Sequence, residues 1–208
     1  EQQSIPLKVR VSLHQLYRIT GTMERRCKPM NRIKGIRHLH KVLVMFLVNH
    51  IFVGTWFFET KRKLLNTLGY HIGEETRVVG PLFCTAQLTV GKGCWIGKNL
   101  RIHGNGTVAI GSNCDVAPEV VFITGGHEIG THDRRAGTGV SYSIRIGNGT
   151  WIGARSTILK DATIGAGCVI ASCSCVTKNV EDDLLVAGIP ARTIRRLDQS
   201  ILEKNIDG

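Results

Sequence analysis

Residues 146–176 read IGNGTWIGARSTILKDATIGAGCVIASCSCV. Ile146, Ile152, Ile158, Ile164, Ile170 and Val176 stand six apart, and Gly or Ala follows the aliphatic residue at 147, 153, 165 and 171. Neither a helix period of about 3.6 nor a strand period of about 2 generates this spacing. A six-residue unit with an aliphatic and then a small residue describes a short strand and a turn, and it marks a β-helix built from hexapeptide coils. Three units close one triangular coil. The aliphatic side chain points into the prism, the small residue fits where the chain bends, and coils stack with strands about 4.8 Å apart. Each coil covers its neighbour's interior, so stability grows with coil number.

The pattern extends N-terminally. Ile72, Val78, Val90, Ile96 and Ile102 share one phase, with Cys84 in the missing slot, and after an offset of eight Ile110, Val116 and Phe122 continue it. Between Phe122 and Ile146 it breaks. Residues 124–143 (TGGHEIGTHDRRAGTGVSYS) are polar, glycine-rich and aperiodic. A long loop ejected from a rigid repeat scaffold is where function concentrates. The expected fold is mainly β: a left-handed parallel β-helix over 71–180 with an ejected loop at 124–143. An N-terminal basic, helical segment over 1–70 precedes it, and a C-terminal extension over 181–208 ends in a short helix.

Before Gly69 the sequence has a different character. Residues 32–68 carry apolar residues three and four apart and read as helical, with Gly69 as the stop. Residues 1–31 are basic, broken by Pro6, Gly21 and Pro29, and read as one or two short helices. Residues 1–71 hold 13 Lys/Arg against 3 Asp/Glu, whereas 72–208 hold 14 against 13, so the formal charge of +11 resides in the first third. Such a segment suits an anionic membrane face or is simply a solvated helix surface. A nucleic-acid role is the weakest reading, because no recognition module accompanies the charge. The apolar run 42–58 (VLVMFLVNHIFVGTWFF) is broken by Asn49 and His50 and falls short of the roughly 20 residues a span needs. It reads as an amphipathic or trimer-packed helix, with an interfacial membrane helix as the alternative.

The seven cysteines are odd in number and contain no C-x-x-C pair. Cys168, Cys173 and Cys175 fall inside the repeats and read as small buried residues. With no visible signal peptide, a reducing, cytoplasmic location is expected, at the inner membrane face if the basic segment binds lipid. In the loop, His127-Glu128 is followed by His132 at a spacing of five rather than the four of H-E-x-x-H, and no third ligand is evident, so no metal site is expected.

From Ile146 to Leu197 the sequence closely resembles the hexapeptide-repeat acyltransferases, nearest the galactoside and maltose O-acetyltransferases and their polysaccharide-modifying relatives. LLNTLGYHIGEETRVVGPLFC (64–84) resembles the lead-in to the β-helix of that branch. The resemblance covers 64–197. It implies acetyl transfer from acetyl-CoA to an acceptor, most naturally a sugar or glycan hydroxyl, in a homotrimer whose active sites lie between subunits. It places the catalytic base at His127, in Thr124-Gly125-Gly126-His127. Imidazole suits that task, because its pKa lies near operating pH. Carried over by position, the donor site comprises Trp151, Ala154, Ser172, Thr177, Lys178, Arg192 and Arg195, with the cations meeting CoA phosphates and backbone groups at 154 and 172 meeting pantetheine amides. His132 and Asp133 are candidates to orient His127 or touch acceptor.

Three departures bear on specificity. Ala171-Ser172-Cys173-Ser174 replaces the family's G-A-G-S, Thr138 stands where the galactoside branch has an acid, and Gly97 stands where it has an acceptor-facing asparagine, with Asn99 and Asn105 as nearby substitutes. The acceptor is therefore expected to differ from that branch's. Acyl transfer to an amine, as in amino-sugar or antibiotic N-acyltransferases, and a non-catalytic β-helix scaffold are the alternatives.

Overall fold

The computed structural model describes residues 32–197. The short helices expected within 1–31 and the helical tail expected beyond 197 lie outside the described residues. By its contacts the chain divides into a unit ending at Arg37 and a second from His38 onward; the β-helix lies wholly in the second.

Three parallel sheets form the faces of the β-helix. The first runs His71–Ile72, Gln87–Val90, Thr107–Ile110, Ser143–Ile146, Thr163–Ile164. The second runs Arg77–Val78, Trp95–Ile96, Asp115–Val116, Trp151–Ile152, Val169–Ile170, Leu184–Gly188, and the third Leu82–Cys84, Leu100–His103, Val121–Ile123, Thr157–Leu159, Cys175–Val176. The hexad positions stack in three columns. Ile72, Val90, Ile110, Ile146 and Ile164 are in register on the first face. Val78, Ile96, Val116, Ile152, Ile170 and Val186 are so on the second, and Cys84, Ile102, Phe122, Ile158 and Val176 on the third. None of these side chains is more than 4% exposed. Burying each contributes about 1.5–3 kcal/mol, and the columns carry the core.

The corners explain which residues punctuate the repeat. Asn99, Glu119, Arg155 and Cys173 follow the second face in successive coils, and all have φ between 58° and 63°. A non-glycine residue is uncommon there. This column accounts for Cys173, which is exposed rather than buried as its place in the repeats suggested; Cys168 is buried and Cys175 half-buried. A turn position that needs left-handed backbone projects its side chain away from the prism.

Helix α1 spans Arg32–Phe46 and passes into a π-helical turn, Leu47–Ile51; helix α2 spans Phe58–Asn66. The continuous helix expected over 32–68 is therefore broken between them. Gly54 at φ 90° and Phe57 at φ 57° are incompatible with helix, and the break docks on the first coil. The Gly54 N–H donates to the Val79 carbonyl (3.2 Å), and the fully buried Lys61 ammonium donates to the carbonyls of Gly54 (2.7 Å) and Val79 (3.1 Å). At the other end, Leu184–Gly188 extends the second face and pairs antiparallel with Ala191–Arg196. The basic residues Arg192, Arg195 and Arg196, expected on a helix, therefore lie on a strand: the turn at Ile189-Pro190 folds the chain back onto the sheet edge before a helix can start. Among the described residues no helix is long and apolar enough to cross a membrane.

Candidate active site

The ejected loop is an ordered antiparallel hairpin, Gly125–Ile129 against Ala136–Ser141, leaving the corner between the third and first faces. Its root is a polar rivet. Thr124 is fully buried; its hydroxyl donates to the His103 carbonyl (2.9 Å) and accepts from the Gly106 N–H (3.2 Å), while its own carbonyl accepts from Tyr142 N–H (2.8 Å). The offset of eight lies at this corner in the preceding coil. There Gly104 adopts φ 106°, and a Cβ on it would collide with the backbone of Thr124 and Gly125. The extra residues at 104–106 thus form the shelf on which the hairpin sits.

His127 is exposed, and its Nδ1 lies 2.9 Å from the Gly137 carbonyl on the opposite strand. A carbonyl only accepts, so Nδ1 carries the proton and Nε2 keeps its lone pair. The hairpin register slips between His127 and Ile129, which is what brings Gly137 rather than a ladder partner to the ring. Behind it Gly126 is pressed against Tyr142, since a Cβ there would stand 2.9 Å from the phenol ring.

His127 lines an open cleft of about 500 Å³ with His103, Gly104, Asn105, Ile123 and Val140. An adjoining cleft of about 350 Å³ holds Asn99, Phe83 and Arg101, and His103 borders both. Phe83 and His103 pack with centroids 5.1 Å apart and ring planes tilted by 40°, leaving Phe83 about half exposed. Asn105 is thus beside His127, whereas Asn99 is in the neighbouring cleft and owes its residue type at least partly to its turn. His132 and Asp133 sit exposed in the bend at the hairpin tip. The bond that holds the His127 ring comes from Gly137. Neither His103 nor Gly137 is marked by the repeat or by a motif; both are identified only by the corner geometry.

The donor candidates fall in separate places on one chain. Thr177, Lys178 and Arg192 line a single cavity of about 470 Å³ between the last corner and the C-terminal hairpin. Ala154 and Ser172 stack at the corner after the second face, where the Ala154 carbonyl already accepts from Cys173 N–H (2.8 Å). Trp151 is 55% exposed on the second face itself, and Arg195 is exposed on the last strand opposite Leu185. The cavity thus sets a hydroxyl and two cations beside the Glu181 carboxylate, and the cations are the groups that could meet phosphate.

The described residues thus form a stacked hexapeptide prism that ejects one histidine-bearing hairpin. The model of the bacterial transferase hexapeptide (six repeats) family matches residues 143–178. The galactoside O-acetyltransferase of Escherichia coli is 32% identical over 142 residues, covering 67% of this chain and 70% of that protein. Among solved structures, a hexapeptide-repeat acetyltransferase of Vibrio cholerae, complexed with acetyl coenzyme A, superposes with a TM-score of 0.69 at 26% identity, over 80% of this chain and 90% of that one. A galactoside acetyltransferase in complex with coenzyme A shares the fold, with a TM-score of 0.63 at 24% identity over 91% and 93% of the chains. The chain belongs to the hexapeptide-repeat acetyltransferase family.

Proposed function

We propose that this acetyltransferase moves an acetyl group directly from acetyl-CoA to a hydroxyl of a sugar or glycan, with His127 as general base. The observation that carries this reading is the Nδ1–Gly137 bond, which leaves Nε2 as a free acceptor in the cleft. A hydroxyl is a weak nucleophile until its proton is removed. In this reading Nε2 takes that proton as the hydroxyl oxygen attacks the thioester carbonyl carbon. As the C–S bond breaks, the imidazolium returns the proton to the departing thiolate. The Gly137 carbonyl holds the ring's tautomer and supports the transient positive charge. The thioester supplies the activated acyl group; Lys178, Arg192 and Thr177 hold its phosphates, and Asn105, Asn99, His132 and Asp133 are assigned to the acceptor.

A homotrimer is the assembly that the family resemblance implies, and the spread of the donor residues supports it. Ala154 and Ser172 occupy one corner of the prism, while Thr177 and Lys178 occupy another. A donor that reaches both, with Trp151 and Arg195 alongside, lies in a groove between two neighbouring copies.

The test is release of free thiol from acetyl-CoA with a panel of sugars, oligosaccharides and amino sugars, followed by identification of the acetylated atom. Ester formation with one acceptor class establishes the reading. Amide formation would transfer it to N-acylation, and donor binding without turnover on any acceptor would favour a scaffold.

A further inference from the structure

Nine of the 14 large apolar side chains exposed among the described residues lie within residues 36–57, so the exposed apolar surface is concentrated in one segment. On α1, Leu39, Val42, Leu43 and Phe46 follow at three- and four-residue intervals and are each 52–68% exposed, while Val44 and Val48 on the other side are buried. The helix therefore has one apolar side spent on the protein core and a second apolar side left over. The loop before α2 adds Trp56 and Phe57, 73% and 61% exposed. Phe57 sits at φ 57°, a conformation bulky residues rarely adopt, and so keeps an aromatic ring outside at the cost of backbone strain.

Charge identifies what covers this face. Residues 35–58 contain no Asp/Glu, and Arg37 and Lys41 are exposed on α1. The same segment of a second copy would set only like charge against these cations; contact with a different surface of a neighbouring copy is the rival that the oligomer mass tests. An anionic lipid surface supplies both complements, acyl chains for the apolar side and phosphates for the cations. No described helix is long and apolar enough to cross a membrane, and a second apolar side on a short helix suits one that lies in the plane of the interface.

We propose that α1 and the loop through Phe57 form a docking surface for an anionic phospholipid membrane, with Trp56 and Phe57 inserted at headgroup depth. None of its residues lines the His127 cleft, and the proposal does not depend on the chemistry assigned there.

The test is flotation of the full chain with vesicles of phosphatidylglycerol and phosphatidylcholine, and with phosphatidylcholine alone, at low and high salt. Four proteins are compared: the unaltered chain, Leu43→Ser/Phe46→Ser/Trp56→Ser, Arg37→Glu/Lys41→Glu, and Trp56→Phe for its fluorescence. All altered residues are exposed, and circular dichroism and the mass from light scattering check that each variant folds and assembles. The unaltered chain is expected to partition at least about tenfold more strongly to the anionic vesicles, with salt weakening it. The serine and glutamate variants are both expected to lose that preference at unchanged mass, and a blue shift of tryptophan emission is expected to disappear in Trp56→Phe. Equal or absent binding to the two vesicle types would overturn the proposal. A fall in oligomer mass in the serine variant, without vesicle binding by the unaltered chain, would assign the face to contact between copies.

Discussion

In the proposed reading the two nitrogens of His127 have different tasks: Nδ1 donates to the Gly137 carbonyl and Nε2 takes the acceptor's proton. His127→Asn keeps a side-chain amide but no base, so acetyl transfer is expected to fall by about 10²- to 10⁴-fold, while donor binding, read as thermal stabilisation by CoA, is unchanged. Lys178→Ala and Arg192→Ala, in the cavity with Thr177, are expected to act in the opposite sense. Steady-state kinetics should show donor KM rising several-fold with kcat nearly preserved, because phosphate contacts are equal in ground and transition states. At this scale the sequence was only partly legible. His127 stood out because polar, glycine-rich chain surrounds it, whereas its partner is a backbone carbonyl ten residues on. A backbone partner leaves no trace in residue type, and a register slip in a hairpin has no sequence period. The cysteines erred for a related reason: a spacing of six says which residue is inside, but only the turn's φ says that Cys173 is not.

At the scale of the element, the site depends on a corner that accepts no side chain. Gly104 is at φ 106° with the Thr124 and Gly125 backbone where its Cβ would be. Gly104→Ala is therefore expected to shift the hairpin, lowering activity and raising the amide exchange of 125–141 while exchange in the prism interior stays slow. Tyr70 closes the entrance coil. Its buried hydroxyl donates to the Cys84 carbonyl at 3.1 Å, and burial pushes its pKa above the ordinary tyrosine value. A raised folded pKa gives stability that is intact below about pH 10 and is lost above it, as the unfolded phenol ionises and the folded one does not. Urea melts should thus show Tyr70→Phe less stable than the parent by about 0.5–1.5 kcal/mol at pH 8, with the gap narrowing as pH rises past 10. The helical segment shows why its break was missed: Gly54 and Phe57 occur in an otherwise helical apolar pattern, and the docking of Lys61 onto Gly54 and Val79 is long-range.

For the whole molecule, stability is a sum over coils. Ile158 and Phe122 are fully buried and adjacent in one column. Ile158→Ala is expected to cost about 2–5 kcal/mol, measured by denaturant unfolding, with loss spreading to neighbouring coils because each lines the next. The fold was nearly all legible, since fourteen positions in one period fix three columns without any long-range guess. The C-terminal hairpin was not, because pairing along a sheet edge turns on the Ile189-Pro190 reversal rather than on propensity. In the proposed reading, assembly is what lets the donor residues at two corners work together. The most direct measurement of the central claim is the rate of thiol release from acetyl-CoA on the acceptor the panel identifies, for the parent and His127→Asn at equal donor saturation. The account predicts a loss of two or more orders of magnitude with CoA stabilisation intact. A variant that turns over at near-parent rates would contradict it and move the base to another group in the cleft.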